Sequence, residues 1–374
     1  MKKSLIALAA VAATGAAFAQ SSVQIDGVMD AGYQAINYKG GKVNGIGNNG
    51  SATSQINFRG TEDLGGGLKA NFRVETDWNT VSNKGNTGSA STPVVLGNET
   101  VAAASTFGNG EIRAGLAGGF GAIDAGAVNY NTLGTYLTGQ PFGTAIGSGF
   151  RTFYVNDAQS TSQVRSDNSV KYTSPSFNGF NASLYYAAKQ TKAVDTVDGA
   201  AKAVKQTSFG GLGAYDMQGT TEVGVNYANG PLAASFSSLK QDFKDVGTGT
   251  TDQTVNTLGA NYAFGDAKVF LWNQSIKADD NTQNSAGTTV SATYTMGATV
   301  LMAQAGSVKN KVSGKTSNIA AVGADYNLSK TTALYGRYES IKDNGSLVSS
   351  LSGFTAATDN VTRTRLGLGI RTAF

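Results

Sequence analysis

The sequence contains no cysteine and no histidine in 374 residues. Without thiols, neither a disulfide framework nor a thiolate metal site can hold the chain together. The commonest general base and the thiol nucleophile are missing as well, which argues against most hydrolytic chemistry. Proline is scarce, with 4 residues, far below the usual share of about 5%. No stretch reaches the ~20 apolar residues that a transmembrane helix requires. The hydrophobic content of 40% is ordinary, which excludes a helical membrane protein. It does not exclude a barrel, in which lipid-facing and lumen-facing residues alternate and hydropathy averages away.

Glycine, by contrast, is abundant at 49 residues, about twice the usual share. The N-terminus carries Lys2 and Lys3, an apolar run from Leu5 to Phe18, and the small-residue pattern Ala17-Phe18-Ala19. This pattern reads as a secretory signal peptide over residues 1–19, cleaved to leave Gln20 first and a single unit over residues 20–374. Loss of its two lysines takes the formal charge from +4 to +2, so the basic balance gives no reason to expect nucleic-acid binding.

Along the rest of the chain one unit repeats: an alternating strand, a short turn with Gly, Asn or Pro, and a second strand leaving it. Residues 22–36 alternate Val23, Ile25, Met29, Ala31 and Tyr33 against Gln24, Asp26, Asp30 and Gln34. Hairpins follow over residues 55–78, 111–128, 168–187, 221–240, 257–272, 288–306 and 318–340, and a last strand runs over 361–374. Seven hairpins and two single strands make sixteen, so the expectation is an all-β, sixteen-stranded antiparallel transmembrane barrel with short periplasmic turns and long extracellular loops. Pro93 and Pro141 fall in long loops and Pro175 and Pro231 in short turns, as ladder pairing demands. Tyr172, Tyr227, Tyr262, Tyr294 and Tyr326 each precede a short turn, and Trp78 and Trp272 are expected to close the upper ends of strands in aromatic girdles. A secreted sandwich is the bland alternative, but its outer faces would expose Val, Leu and Tyr to water.

The third long loop, residues 129–164, shows neither strand alternation nor a helical period. It holds Tyr130, Tyr136, Phe142, Phe150, Phe153 and Tyr154, with only Arg151 and Asp157 charged. Such aromatics need a surface to pack on, and the expectation is a loop folded into the lumen that narrows it. Strand parity then sorts the wall. Ile56, Phe58, Phe72, Val74, Ile112, Ala114, Val170 and Tyr172 face lipid. Asn57, Arg59, Asn71, Arg73, Glu75, Asp77, Glu111, Arg113, Arg165, Asp167, Ser169 and Lys171 face the lumen. Arg73, Arg113 and Arg165 sit where an inward loop meets the wall, with Asp157, Asp124 and Asp167 as facing negative charge. Arg365 and Arg371 are expected to form seam ion pairs with Asp26 and Asp30. Adjacent carboxylates such as Glu62-Asp63 and Asp279-Asp280 read as solvated turn residues.

Several segments carry a family resemblance. The closing strand TRTRLGLGIRTAF, over residues 362–374, resembles the last strand of outer-membrane proteins, whose terminal aromatic, here Phe374, serves recognition by the barrel-assembly machinery. The segments INFRGTEDLGGGLKANFRVE, LAGGFGAIDAG and RSDNSVKYTSPSFNGF, with the start strand VQIDGVMDAGY, resemble signatures of the general-diffusion porins of β-proteobacteria. The resemblance implies a homotrimeric, water-filled barrel with the third loop inside. It implies placement in the outer membrane of a Gram-negative cell among lipid and lipopolysaccharide, passive diffusion of small hydrophilic solutes and ions, no cofactor and no enzymatic activity. One departure stands out: where such porins continue through a glycine into an arginine, this chain has Gly126-Ala127. Arg59, Arg73, Arg113, Arg165, Lys171, Asp124, Arg151 and Asp157 are the candidate pore-lining residues, and weak anion selectivity is the expectation. A substrate-specific channel, or a non-conducting surface adhesin, are the alternatives.

Overall fold

A strand with one apolar and one polar face can sit between lipid and water only if its backbone groups are all paired, which requires a sheet without edges. The computed structural model has this form. It describes residues 21–38, 41–81, 107–150, 164–188, 194–197, 200–203, 219–242, 252–279, 281, 284–344 and 361–374. The expected signal peptide, and Arg151 and Asp157, lie outside the described residues.

In chain order the elements are β1 (Ser22–Tyr38), β2 (Gly41–Asn48), β3 (Gln55–Gly65), β4 (Leu68–Asp77), β5 (Ile112–Gly118), β6 (Gly121–Asn129), α1 (Asn131–Thr138), β7 (Arg165–Thr173), β8 (Phe180–Ala187), β9 (Val194–Val197) and β10 (Ala200–Ala203). They continue as β11 (Gly219–Asn229), β12 (Leu232–Asp242), β13 (Gln253–Phe264), β14 (Ala267–Ala278), β15 (Ser285–Met296), β16 (Thr299–Asn310), β17 (Thr316–Asn327), β18 (Thr332–Asp343) and β19 (Val361–Ala373). Sixteen of these, β1, β3–β8 and β11–β19, form one antiparallel ring. Pairing of β8 with β11 bridges the fourth loop, and pairing of β1 with β19 closes the ring. The remaining strands belong to loops: β2 folds back along the upper half of β1, and β9 pairs only with β10. Sequence alternation missed both because each is short or glycine-rich.

Parity separates the two faces. Phe236 (45% exposed), Leu271 (39%), Val290 (59%), Val322 (55%) and Leu368 (52%) form part of the outer belt. Inward positions hold small polar groups that satisfy one another. Gln274 donates to Thr257 Oγ1 at 3.0 Å, Gln253 to Gln241 Oε1 at 2.7 Å, and Ser291 to Gln304 Oε1 at 3.1 Å. The five girdle tyrosines stand one or two residues before the turn-side ends of β7, β11, β13, β15 and β17.

Three expectations are corrected. Strands run further toward the loops than alternation indicated, so Trp272 lies mid-strand in β14. Its neighbour Leu271 faces out; Trp272 therefore faces in and is buried, while Trp78 is exposed just past β4. The seam pairs do not form. Glu339 stands directly opposite Arg365 and captures it at 2.8 Å, whereas the β1 residue opposite Arg365 is Ile36. Asp26 pairs instead with Arg59 at 2.9 Å, and Asp30 accepts from the N–H groups of Gly50, Ser51 and Ala52 and from the Tyr335 hydroxyl. Lastly, a bulge opposite Gly126 and Val128, with Asn168 at φ 52°, shifts β7 so that Ser166 alternates with Ser169 and Lys171 on the lumen side. Asp167 is left exposed beside the bulge.

If Val290 faces hydrocarbon, Val290→Arg should destabilise the barrel by about 2–4 kcal/mol. Denaturant-dependent folding into lipid vesicles measures this, and unchanged stability would contradict the outward assignment.

Candidate functional site

At the end of β6 the chain leaves the wall. The Asn129 N–H donates to Glu111 Oε1 at 3.0 Å, and Tyr130 packs edge-on against Tyr185 with ring centroids 5.0 Å apart. Here α1 begins, although no helical period in the sequence marks it. It contains Thr132, Gly134, Thr135 and Thr138, poor helix formers all, and its N-cap, Tyr130, offers no side-chain cap. The cap comes from another strand. Glu222 of β11 accepts from the backbone N–H groups of Asn131 and Thr132, the latter at 2.7 Å, and from the Thr132 hydroxyl. A carboxylate at this point satisfies two orphan donors and complements the helix dipole.

The wall beneath α1 is shaped to receive it. The Thr135 and Ser235 hydroxyls bond at 2.6 Å, Thr132 meets Ser237 at 2.9 Å, and Asn261 donates to the Thr138 carbonyl at 2.8 Å. Gly224 and Gly259 make room. A Cβ on Gly224 would lie 2.4 Å from the Asn131 side chain, and one on Gly259 would lie 1.9 Å from the Thr135 carbonyl. Tyr136 fits edge-on against Trp272, with centroids 5.8 Å apart, and its hydroxyl donates to the Ser148 carbonyl at 2.8 Å. Burial holds the Tyr136 phenol above its ordinary pKa, so it stays a donor.

Beyond α1 the segment continues to the far wall. Gln140 brackets the turn, accepting from Phe142 N–H at 2.7 Å and donating to the Gly143 carbonyl at 2.8 Å. Thr144 meets Thr53 of the first loop at 2.8 Å. Glu339 on β18 accepts from the Gly147 and Gly149 N–H groups at 3.0 and 3.3 Å while pairing with Arg363 and Arg365. Gln304 on β16 donates to the Gly147 carbonyl at 3.0 Å, and Arg337 lies 5.9 Å from the centre of the Phe142 ring. The described part of the third loop thus leaves β6, lies on the inner faces of β11–β14, and ends against β16 and β18.

The candidate cations gather on β3–β7. Arg73 pairs with Glu75 and, at 2.8 Å, with Glu111; Arg113 pairs with Asp124 and reaches Glu111 at 3.6 Å. Arg165 reaches Glu75 at 3.7 Å and donates to Asn129 Oδ1 at 3.1 Å, which brings it to the cluster despite the bulge. Lys171 Nζ donates to the Asn129 carbonyl at 3.0 Å. Arg59 is the most exposed of these arginines, at 46%. Arg59, Asn71, Arg73, Arg113 and Asp124 line a recess of about 250 Å³. Sequence reading singled out these cations but missed Glu222, Glu339, Arg337 and Arg363, because their partners lie 90 or more residues away or on strands whose register only the closed ring defines.

Docking of α1 has a built-in reporter. In a Trp78→Phe background, Trp272 is the sole tryptophan. Adding Gly259→Val should lift the helix, shift the Trp272 emission to the red and admit a water-soluble quencher; unchanged emission would contradict the docking.

Comparison with known proteins agrees with this architecture. The model for the Gram-negative porin family matches residues 5–346. Outer membrane porin protein 32 of Delftia acidovorans is 33% identical over 390 residues, covering 100% of both chains. An outer membrane porin protein of Bordetella pertussis is 29% identical, covering 72% of this chain and 68% of its own. The solved structure of an anion-selective porin from Comamonas acidovorans superposes with a TM-score of 0.73 at 27% identity, covering 95% of this chain and 100% of the other. With a matching ring of strands and matches along nearly its whole length, the chain belongs to the Gram-negative porin family.

Proposed function

We propose that the third loop forms the narrowest passage of this porin and that the basic wall facing it gives a weak preference for anions. The protein is an outer-membrane channel through which small hydrophilic solutes and ions diffuse passively. The observation that carries the selectivity reading is a difference in exposure between the cations and their carboxylate partners. Arg73, Arg113, Arg165 and Lys171 are matched in number by four carboxylates, Glu75, Glu111, Asp124 and the Glu222 that caps α1. The loop segment 129–150 carries no charge. The Arg73, Arg113 and Arg165 side chains stay 15–27% exposed against 8–14% for Glu75, Glu111 and Asp124, so the water-facing side of this wall is positive, with Arg59 and Asp26 cancelling beside it. Across a narrow passage an exposed charge acts over the Debye length, about 8 Å at physiological salt. Extensive pairing keeps the effect small, so the preference is weak. Arg151 and Asp157 would add their charges from the rest of the loop.

The reading also includes a homotrimer, a signal peptide removed after Ala19, contacts with lipopolysaccharide, and recognition of the exposed Phe374 by the assembly machinery. Transport without catalysis fits a chain whose relatives are porins and which lacks histidine and cysteine. The anion preference of the Comamonas acidovorans porin points the same way.

In a KCl gradient the reversal potential should show mild anion preference, and Arg73→Glu should move it toward cations. A cation-preferring wild type, or an unmoved potential in the variant, would refute the assignment. Deleting part of residues 138–150 should raise single-channel conductance while the trimer still assembles; unchanged conductance would refute the constriction role.

A further inference from the structure

One inward charge stands apart from the basic wall. On β14, Val269 and Leu271 are exposed on the outer face, and Phe270 and Trp272 are buried on the inner one. Lys268 shares the parity of Phe270 and Trp272 and therefore faces the lumen, with its Nζ 5.2 Å from the centre of the Phe270 ring. Among the described inward positions of β12–β16 it is the single charged side chain. Lys240, Lys277 and Lys309 are exposed on the outer face, and Asp242 shares the parity of Lys240.

Lys268 lines a recess of about 350 Å³ together with Asn261, Ala228, Pro231, Ala233 and Ala263. That volume falls within the range of small-molecule sites, about 300–1,000 Å³. Its place follows from the strand ends. Ala228, Ala233, Ala263 and Lys268 lie close to the short turns that join β11 to β12 and β13 to β14. Asn261 lies deeper in the barrel, where its Nδ2 donates to the Thr138 carbonyl in the last turn of α1. The recess thus sits beneath α1, on the short-turn side of the third loop, and on a different part of the wall from the cations of β3–β7.

The lining has two chemical parts. Ala228, Pro231, Ala233 and Ala263 offer methyl and ring carbons, a surface that favours an apolar body. Lys268 offers an ammonium group. Among the described residues it forms no ion pair, and Asp266, the nearest acid in sequence, stays exposed on the turn. The face of Phe270 supplies only the attraction of a ring quadrupole, so a carboxylate would bring the full charge partner that is missing. Asn261 commits one hydrogen of its amide to Thr138 and carries a second. A cation and an amide N–H beside a small apolar surface suit an organic anion in which a carboxylate is joined to a short alkyl body. Chloride or formate would meet the charge and leave the alanines bare.

We propose that Lys268, Asn261 and the alanines of this recess form a binding site at which short aliphatic carboxylates pause during passage. The carboxylate pairs with Lys268 Nζ and takes the second amide hydrogen of Asn261, and the alkyl body covers Ala228, Ala233 and Ala263. The site rests on the channel itself and not on the ion preference of the β3–β7 wall, which is read from a reversal potential rather than from block.

The test titrates butyrate against channels of the refolded full chain in a planar bilayer, with KCl fixed and in excess. Open-channel current should fall hyperbolically to a plateau as the site fills. Formate, which lacks the apolar body, and butyramide, the uncharged isostere, should give no comparable block at equal concentration. Lys268→Met should raise the half-blocking concentration of butyrate at least about tenfold, the effect of losing a charged hydrogen bond. Ala233→Leu keeps the charge but fills the recess, and should weaken block by a similar factor. Equal block of wild type by formate or butyramide would overturn the proposal, as would unchanged butyrate block in Lys268→Met or in Ala233→Leu. If Lys268→Met forms no channels, Ala233→Leu and the two control solutes decide.

Discussion

Hydrocarbon offers no partner to a backbone N–H or carbonyl, and the structure follows from that. Each unpaired group in lipid would cost several kcal/mol, so sixteen strands pair in a ring and the last returns to the first. Closure then divides every strand into a lipid face and a lumen face. It also explains the composition: with apolar residues needed on one face only, ordinary hydrophobicity and abundant glycine suffice.

Inside the ring a second problem of unpaired groups arises. A loop that leaves the wall brings its own backbone donors, and two carboxylates meet them. Glu222 takes the first N–H groups of α1, and Glu339 takes those of Gly147 and Gly149 near the tip. Each holds a different end of the described segment. Glu339 is also the partner of two buried guanidinium groups, Arg363 and Arg365; removing a member of such a buried cluster typically costs about 3–5 kcal/mol. Aromatic packing of Tyr136 on Trp272 and of Tyr130 on Tyr185 fills the space between these polar anchors. The loop is thereby attached to the inner wall at several independent points.

Much of this was legible from period-two alternation. Val23 to Tyr33 and Leu366 to Phe374 announce their outward faces, and the tyrosines before the short turns mark a common level. Less legible was whatever depended on the closed ring. Trp272 reads like a girdle residue until β14 proves to extend to Ala278, which moves it to mid-strand. The helix α1 has the wrong residues for a helix and forms because Glu222, some 90 residues later, caps it. Asn168 hides a bulge that reorders β7, since one extra residue inverts all parity beyond it. Parity puts Arg365 on the correct face but cannot name its neighbour, Glu339, which stands opposite it on the adjacent strand.

The central claim is that the third loop rests on the inner wall in the working channel and defines its width. The absence of native cysteine permits a direct test through the double variant Thr135→Cys/Ser235→Cys, whose hydroxyls are 2.6 Å apart in the native protein. Single-channel conductance would be recorded under oxidising conditions and again after reduction. The account predicts that the disulfide forms in the folded barrel and that conductance matches wild type in both states. Failure of the bond to form, or a conductance step when it is reduced, would contradict it.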